Sequence, residues 1–191
     1  VRRAGRLWQE ATAAAFLDAI GDGTLPPEAF NRWLVQDHHF ADALTSFQGI
    51  AAAKTPRRIR KPLIAGLGAL DAEMDWFEVQ ASARGLELNA PVHEVCRHYC
   101  DFLIQAAYSE PYPVLLAVLF GVEASYLAAW SGLPPKGPYA EFIDRWSNPR
   151  FAEYVESLRV LAEGHRHESS QRYFDGALAH ERDFWRMTWE G

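Results

Sequence analysis

Residues 111–135 read PYPVLLAVLFGVEASYLAAWSGLPP, a run in which Glu123 is the only charged side chain. Pro111 and Pro113 open it and the GLPP of 132–135 closes it, which is the punctuation of a helix start and stop. A surface helix would carry a polar face, so near-continuous apolarity predicts a helix surrounded by other helices. By length the same run passes for a membrane span, with Tyr112 and Trp130 placed like an interfacial belt. The central Glu123, the lack of flanking Lys or Arg and the amphipathic character of the other segments argue for a core helix and no membrane. A carboxylate is costly to bury unless it is protonated, paired or hydrogen-bonded. Glu123 is therefore either a core residue satisfied by a neighbouring helix or a carboxyl aimed into a closed pocket, where desolvation tunes it for proton transfer.

Outward from this segment, apolar periodicity predicts helices over 4–21, 26–53, 57–84, 91–108, 113–131, 138–147, 149–164 and 167–189. Breaks fall at Gly21-Asp22-Gly23, Thr55-Pro56, Gly85, Glu110-Pro111, the 132–138 loop and Asn148-Pro149. Pro26 and Pro27 suit a first helical turn, and Pro91 and Pro149 are expected to open their helices in the same way. No stretch alternates like a strand. The expected fold is an all-α orthogonal bundle of about seven to eight helices around a central pocket, with 1–191 forming a single domain.

With 49% hydrophobic and 23% charged residues the chain can bury a sizeable core. A formal net charge of −6 argues against a duplex nucleic-acid binder, which would carry a basic stripe. The local run Lys54, Arg57, Arg58, Arg60, Lys61 reads as a solvated face or an oligomer contact. Cys96 and Cys100, spaced i,i+4 on one predicted helix, read as reduced core residues of a cytoplasmic protein rather than a disulfide. Val1-Arg2-Arg3-Ala4-Gly5 leads into an amphipathic helix instead of the apolar core of a signal peptide. Gly66-Leu67-Gly68 is an isolated fragment in a helical segment and not a phosphate loop.

Two further acids lie on apolar stripes. Trp33, Leu34, Asp37, Phe40, Ala41 and Leu44 share one helical face, as do Leu178, Glu181, Phe184, Trp185 and Thr188. Tyr99 and Tyr126 present hydroxyls from two other helices. Each residue alone reads as a satisfied core group; several carboxyls on separate inward faces of an aromatic-rich bundle point to a site.

The stretches LWQEATAAAFLDAIGDGTLPPEAFNRWLVQDHHF, HYCDFLIQAAYSEPYPVLLAVLF and AHERDFWRM, in this order, resemble the TenA family, the thiaminase II or aminopyrimidine aminohydrolases of the haem-oxygenase-like fold. The resemblance implies that Asp37 binds the aminopyrimidine ring nitrogen and amino group, that Tyr99 lines the same pocket and that Glu181 is the catalytic glutamate near the C-terminus. It also places Phe40 and Trp146 as ring-packing aromatics, Trp146 standing where the family has a tyrosine. Where the family carries a Pro-Cys pair with a tyrosine four residues after the cysteine, this chain has Gly121, Val122 and Tyr126. The tyrosine is kept and the nucleophilic cysteine is not. FGVEASYLAAW instead resembles a glutamate-type branch of the family, with Glu123 three residues before Tyr126 and so on the same face. Cys100 follows Tyr99 directly, about 100° around the helix, and is not expected to face a pocket that Tyr99 faces.

The implied function is hydrolysis of an aminopyrimidine or formylaminopyrimidine compound of thiamin salvage, without a cofactor. Glu123 activates water, Glu181 exchanges a proton with the leaving nitrogen, and Asp37 and Tyr126 hold the ring. The expected partners are a small pyrimidine and further copies of the chain, as a dimer or tetramer. A non-catalytic pyrimidine binder on the same fold is the alternative. A haem enzyme of this architecture needs a histidine on its first helix, and none precedes His38; no Asp or Glu is followed by His at i+3, as a diiron site requires. No metal site is therefore expected.

Overall fold

In the computed structural model, which describes residues 5–191, the chain is all-α: α1 (Gly5–Thr12), α2 (Ala15–Asp22), α3 (Pro27–Lys54), α4 (Lys61–Arg84), α5 (Glu94–Ser109), α6 (Tyr112–Ser131), α7 (Ala140–Ser147), α8 (Pro149–Gly164) and α9 (Ser170–Glu190). No strand occurs among the described residues. The segment that opened the sequence reading is α6. Fifteen of its 20 residues are buried, because α7, α8, α9 and α1 all pack against it. Its membrane-like apolarity is that of a helix wrapped by protein. The long α3 carries α4 and α5 on its flanks and reaches α6 and α9. One contiguous apolar cluster joins residues from all nine described helices.

Local signals set most ends. Pro27 occupies the first turn of α3, Pro149 that of α8, and the Asn148 side chain accepts the Phe151 N–H at 3.0 Å as an N-cap. Gly23 and Gly85 end α2 and α4 with φ of 72° and 65°, a left-handed conformation that a Cβ disfavours. Lys54, the first residue of the basic run, donates from Nζ to the carbonyls of Ala107, Tyr108 and Glu110, closing the C-terminus of α5.

The structure departs from the periodicity in three places. The helix expected over 4–21, whose first residue lies outside the described residues along with Val1-Arg2-Arg3, is two helices, so the described residues form nine where seven or eight were expected. Ala14 is extended (φ −142°, ψ 154°) although alanine is the best helix former. The cause is tertiary: Trp185 on α9 donates its indole N–H to the Ala11 carbonyl at 3.1 Å, taking the acceptor that the Ala15 N–H would use in a continuous helix. At the second place Pro91 does not open α5. Gln36 on α3 clamps the segment instead, donating to the Pro91 carbonyl and accepting from the His93 N–H, and His93 caps the helix through Nδ1. Finally, α4 starts at Lys61 after a turn over 57–59.

Candidate active site

The two stripes read from the sequence are buried throughout, which turns Asp37 and Glu181 inward from α3 and α9. Both carboxyls accept a tyrosine hydroxyl from across the bundle. Tyr126 donates to Asp37 Oδ2 and Tyr99 donates to Glu181 Oε1, each at 2.7 Å. Glu123, 8% exposed on α6, accepts no hydrogen bond among the described residues.

A cavity of about 80 Å³ lies between α3, α4, α6, α7 and α8. That is room for a small ring or several waters. Asp37, Phe40, Glu123, Tyr126 and Trp146 line it. Five of the seven positions taken from the sequence thus meet around one space. Tyr99 and Glu181 are buried beside it without lining it: the Tyr99 ring packs on Phe40 at 4.5 Å and lies parallel to His180 at 5.1 Å. Trp146 stands edge-on to Tyr126 at 5.5 Å, and Tyr126 stacks on Trp185 at 5.6 Å. The ring of Tyr126 is fixed by these contacts, so its hydroxyl is aimed before any ligand arrives.

Three lining residues were missed by the sequence reading. Glu73, half-buried on α4, accepts from the Trp146 indole N–H at 3.3 Å. Gly66, Leu70, Glu73 and Phe77 repeat at helical spacing on the inner face of α4, and that stripe was the available signal. Tyr154 on α8 donates to Gln48 Oε1 at 3.3 Å, and Gln48 donates to the Leu63 carbonyl at 2.7 Å. Gly66 sits against both: a Cβ there would overlap Gln48 Nε2 and the Tyr154 hydroxyl. The Gly66-Leu67-Gly68 fragment therefore serves close helix packing.

Electrostatics follow from the lining. No Lys, Arg or His faces the cavity, so its acids have no counter-charge within it. Burial, with repulsion from Glu73 and Glu181, pushes the Glu123 carboxyl up to about 8. Burial likewise raises Glu181 to about 8, against a lowering by the Tyr99 hydrogen bond, and Glu73 to about 7, against the opposing charge of Arg145. Asp37 is held well above the usual carboxylate range by burial, opposed by the Tyr126 bond and reinforced by Glu73 and Glu181. Burial and mutual repulsion thus favour the carboxylic acid over the carboxylate at Asp37, Glu123 and Glu181. Such a group both donates and accepts. A protonated Asp37 can give a proton to one ring nitrogen while accepting from a neighbouring amino group.

The cysteines face elsewhere. Both are free, Cys96 Sγ pointing to the Gln36 carbonyl and Cys100 Sγ to that of His39, and neither lines the cavity. No group of three or more His, Cys, Asp and Glu side chains is arranged to hold a metal ion among the described residues.

A helical bundle closed around a small pocket of aromatic walls and buried acids defines a domain with an enclosed small-molecule site. Residues 2–191 match the TENA/THI-4/PQQC family, and the chain belongs to that family. It is similar to the "Probable bifunctional TENA-E protein" of Glycine max, 26% identical over 203 residues covering 95% of this chain and 88% of that protein. Similarity to the "Thiamine biosynthesis multifunctional protein ThiED" of Corynebacterium efficiens, 25% over 208 residues, covers 94% of this chain and 26% of that protein. Among solved structures, a TenA homologue from Pyrococcus furiosus superimposes with a TM-score of 0.91 at 26% identity, covering 98% of this chain and 96% of that one.

Proposed function

We propose that this protein hydrolyses a carbon–nitrogen bond on an aminopyrimidine of thiamin salvage, with carboxyl groups doing the work of the family's thiol. The observation that carries the reading is Glu123: a carboxyl with no protein hydrogen-bond partner, lining a cavity where Val122 occupies the place of the cysteine. A core glutamate kept for structure would be satisfied by its neighbours, as Asp37 and Glu181 are. The kinship with proteins named for TENA-E and thiamine biosynthesis supports the substrate class.

In this reading Asp37, held by Tyr126, pairs with the ring nitrogen and the adjacent amino group, and Phe40 and Trp146 flank the ring. Glu123, as carboxylate, takes a proton from water while the water oxygen bonds to the carbon under attack. The carbon–nitrogen bond breaks with its electrons on nitrogen, which takes up the proton that Glu123 drew from the water, while Glu181, outside the lining, holds Tyr99 behind Phe40. On a formylaminomethyl side chain the products are formate and the amine; on an aminomethyl side chain they are an alcohol and ammonia. Glu123 is protonated in the empty pocket at pH 7 and must ionise to act as a base. A cationic ligand drives that ionisation by supplying the missing counter-charge.

The test is to incubate the purified protein with the aminomethylpyrimidine, its N-formyl derivative and thiamin, and to assay ammonia, formate and the released thiazole. Release of ammonia or formate is expected. Tight binding of a pyrimidine without release from any of the three would make the protein a binder and sink the hydrolase reading.

A further inference from the structure

Glu73 carries a question that the reaction above leaves open. It projects from α4 into the cavity opposite Glu123 of α6, and no assigned step uses it. One of its oxygens is held by the Trp146 indole N–H at 3.3 Å. Arg145, whose charge opposes the effect of burial on Glu73, stands off from it: its guanidinium lies 4.2 Å over the Trp76 ring and forms no ion pair with Glu73 within 4.0 Å. Trp76 and Gln80 do not compete for Glu73 either, since both donate to Glu141. Glu73 is thus a positioned acid beside an unpartnered one, in a cavity whose lining contains no cation.

Two carboxyls that face one small space repel each other once ionised and are silent when protonated. A ligand that brings a positive charge with several N–H donors relieves the repulsion and satisfies both; a neutral or anionic group at that place does not. We propose that Glu73 and Glu123 together form a subsite for a protonated amine on the bound ring, with Glu73 as the residue that makes the pocket favour an ammonium-bearing side chain over its neutral isostere. This rests on the pyrimidine reading of the same pocket. Arg145 and Trp146 from α7 act on Glu73 directly, and the titratable groups that share its cavity are Asp37 from α3, Glu123 and Tyr126 from α6 and Tyr154 from α8. When an ammonium ligand enters below neutral pH, the ligand keeps its charge, a carboxyl gives up its proton to the buffer, and one proton is released.

The experiment measures binding of an aminomethylpyrimidine and of its hydroxymethyl isostere by titration calorimetry at pH 6, in two buffers of different ionisation enthalpy. The native protein and the Glu73→Gln and Trp146→Phe variants are compared. In the native protein the amine is expected to bind at least about tenfold more tightly than the alcohol, the usual scale of a hydrogen bond to a charged group, with about one proton released per amine bound. Glu73→Gln should bring the two affinities to within about threefold by weakening the amine alone, and lower the proton release. Trp146→Phe, which frees the Glu73 carboxyl, should reduce the preference partly. An unchanged preference in Glu73→Gln, with the alcohol still bound as in the native protein, overturns the assignment of Glu73 and leaves the pyrimidine pocket standing. Weakening of both ligands alike also overturns it. Failure of the native protein to bind either compound overturns the pyrimidine reading and this inference with it.

Discussion

Asp37 and Glu181 each accept a 2.7 Å hydrogen bond from a buried tyrosine, while Glu123 on the most apolar helix of the chain accepts none. The three carboxyls are comparably desolvated, yet only the first two have been given what a buried acid ordinarily needs. A tyrosine hydroxyl fixes a carboxyl's position and leaves its second oxygen for a ligand. Withholding such a partner leaves a group whose hydrogen bonds can come only from water or substrate. The held acids are suited to positioning, and the unheld one to reaction.

The largest effect expected from breaking this contrast is kinetic. Glu123→Gln keeps shape and burial and removes the base, so turnover of the preferred pyrimidine should fall by about 10²-fold or more, the usual contribution of a general base, well beyond any loss of affinity for an amine ligand. Steady-state assay of ammonia or formate beside calorimetric binding separates the two. Unchanged turnover would remove Glu123 from the mechanism.

Next in size is the loss of a held acid's partner. Tyr126→Phe and Tyr99→Phe each leave a buried carboxyl short of one donor and should each cost about 1–3 kcal/mol in urea denaturation. Their ligand affinities should diverge, because the Asp37–Tyr126 pair lines the cavity and the Glu181–Tyr99 pair does not. Tyr126→Phe is expected to weaken pyrimidine binding by about tenfold and Tyr99→Phe by much less. Equal losses would mean that Tyr99 also reaches the ligand.

The third expectation concerns pH. Glu123 and Glu181 hold protons in the folded protein up to about pH 8 and release them near 4.5 when the chain unfolds. Between those limits the folded state binds more protons than the unfolded one, so the stability linked to these acids is complete below about 4.5 and is lost as pH rises to about 8. Melting temperatures across pH 5–9 should show Glu123→Gln close to the native protein at the acid end and progressively more stable towards pH 8. A constant difference would contradict the buried, protonated Glu123 described above. The smallest effect belongs to Cys100→Ser. With its Sγ turned to the His39 carbonyl, turnover should stay within about twofold, as for a residue that makes no contact with the reacting atoms.

Much of this contrast was legible in the chain itself. Asp37 and Glu181 interrupt apolar stripes at helical spacing, and Glu123 interrupts a run with no other charge, so burial of all three followed from periodicity. Their hydrogen-bond partners did not, since Tyr126 and Tyr99 lie 89 and 82 positions away and nothing local links them. Glu73 shares its segment with Asp71, Asp75 and Glu78, and among so many acids the one on the 66-70-73-77 stripe does not stand out. The break at Ala13-Ala14 had no local signal, because four of the six residues 11–16 are alanine, the best helix former, and the cause is an indole on α9. Pro91 misled for a similar reason: the Gln36 clamp is a tertiary contact.

The Trp185 bond to Ala11 spans 174 positions, and Arg32 on α3 likewise donates to the carbonyls of Thr188 and Trp189. During synthesis α1, α2 and α3 therefore leave the ribosome long before the helix that fastens them. For that interval α6 is also present without α9, one of the helices that cover it. The order of synthesis thus leaves the apolar heart of the protein partly uncovered until the strap arrives, a stage at which exposed apolar surface favours association between chains. It also makes α9 the element whose shortening should divert newly made protein into aggregates before any loss of chemistry can be measured.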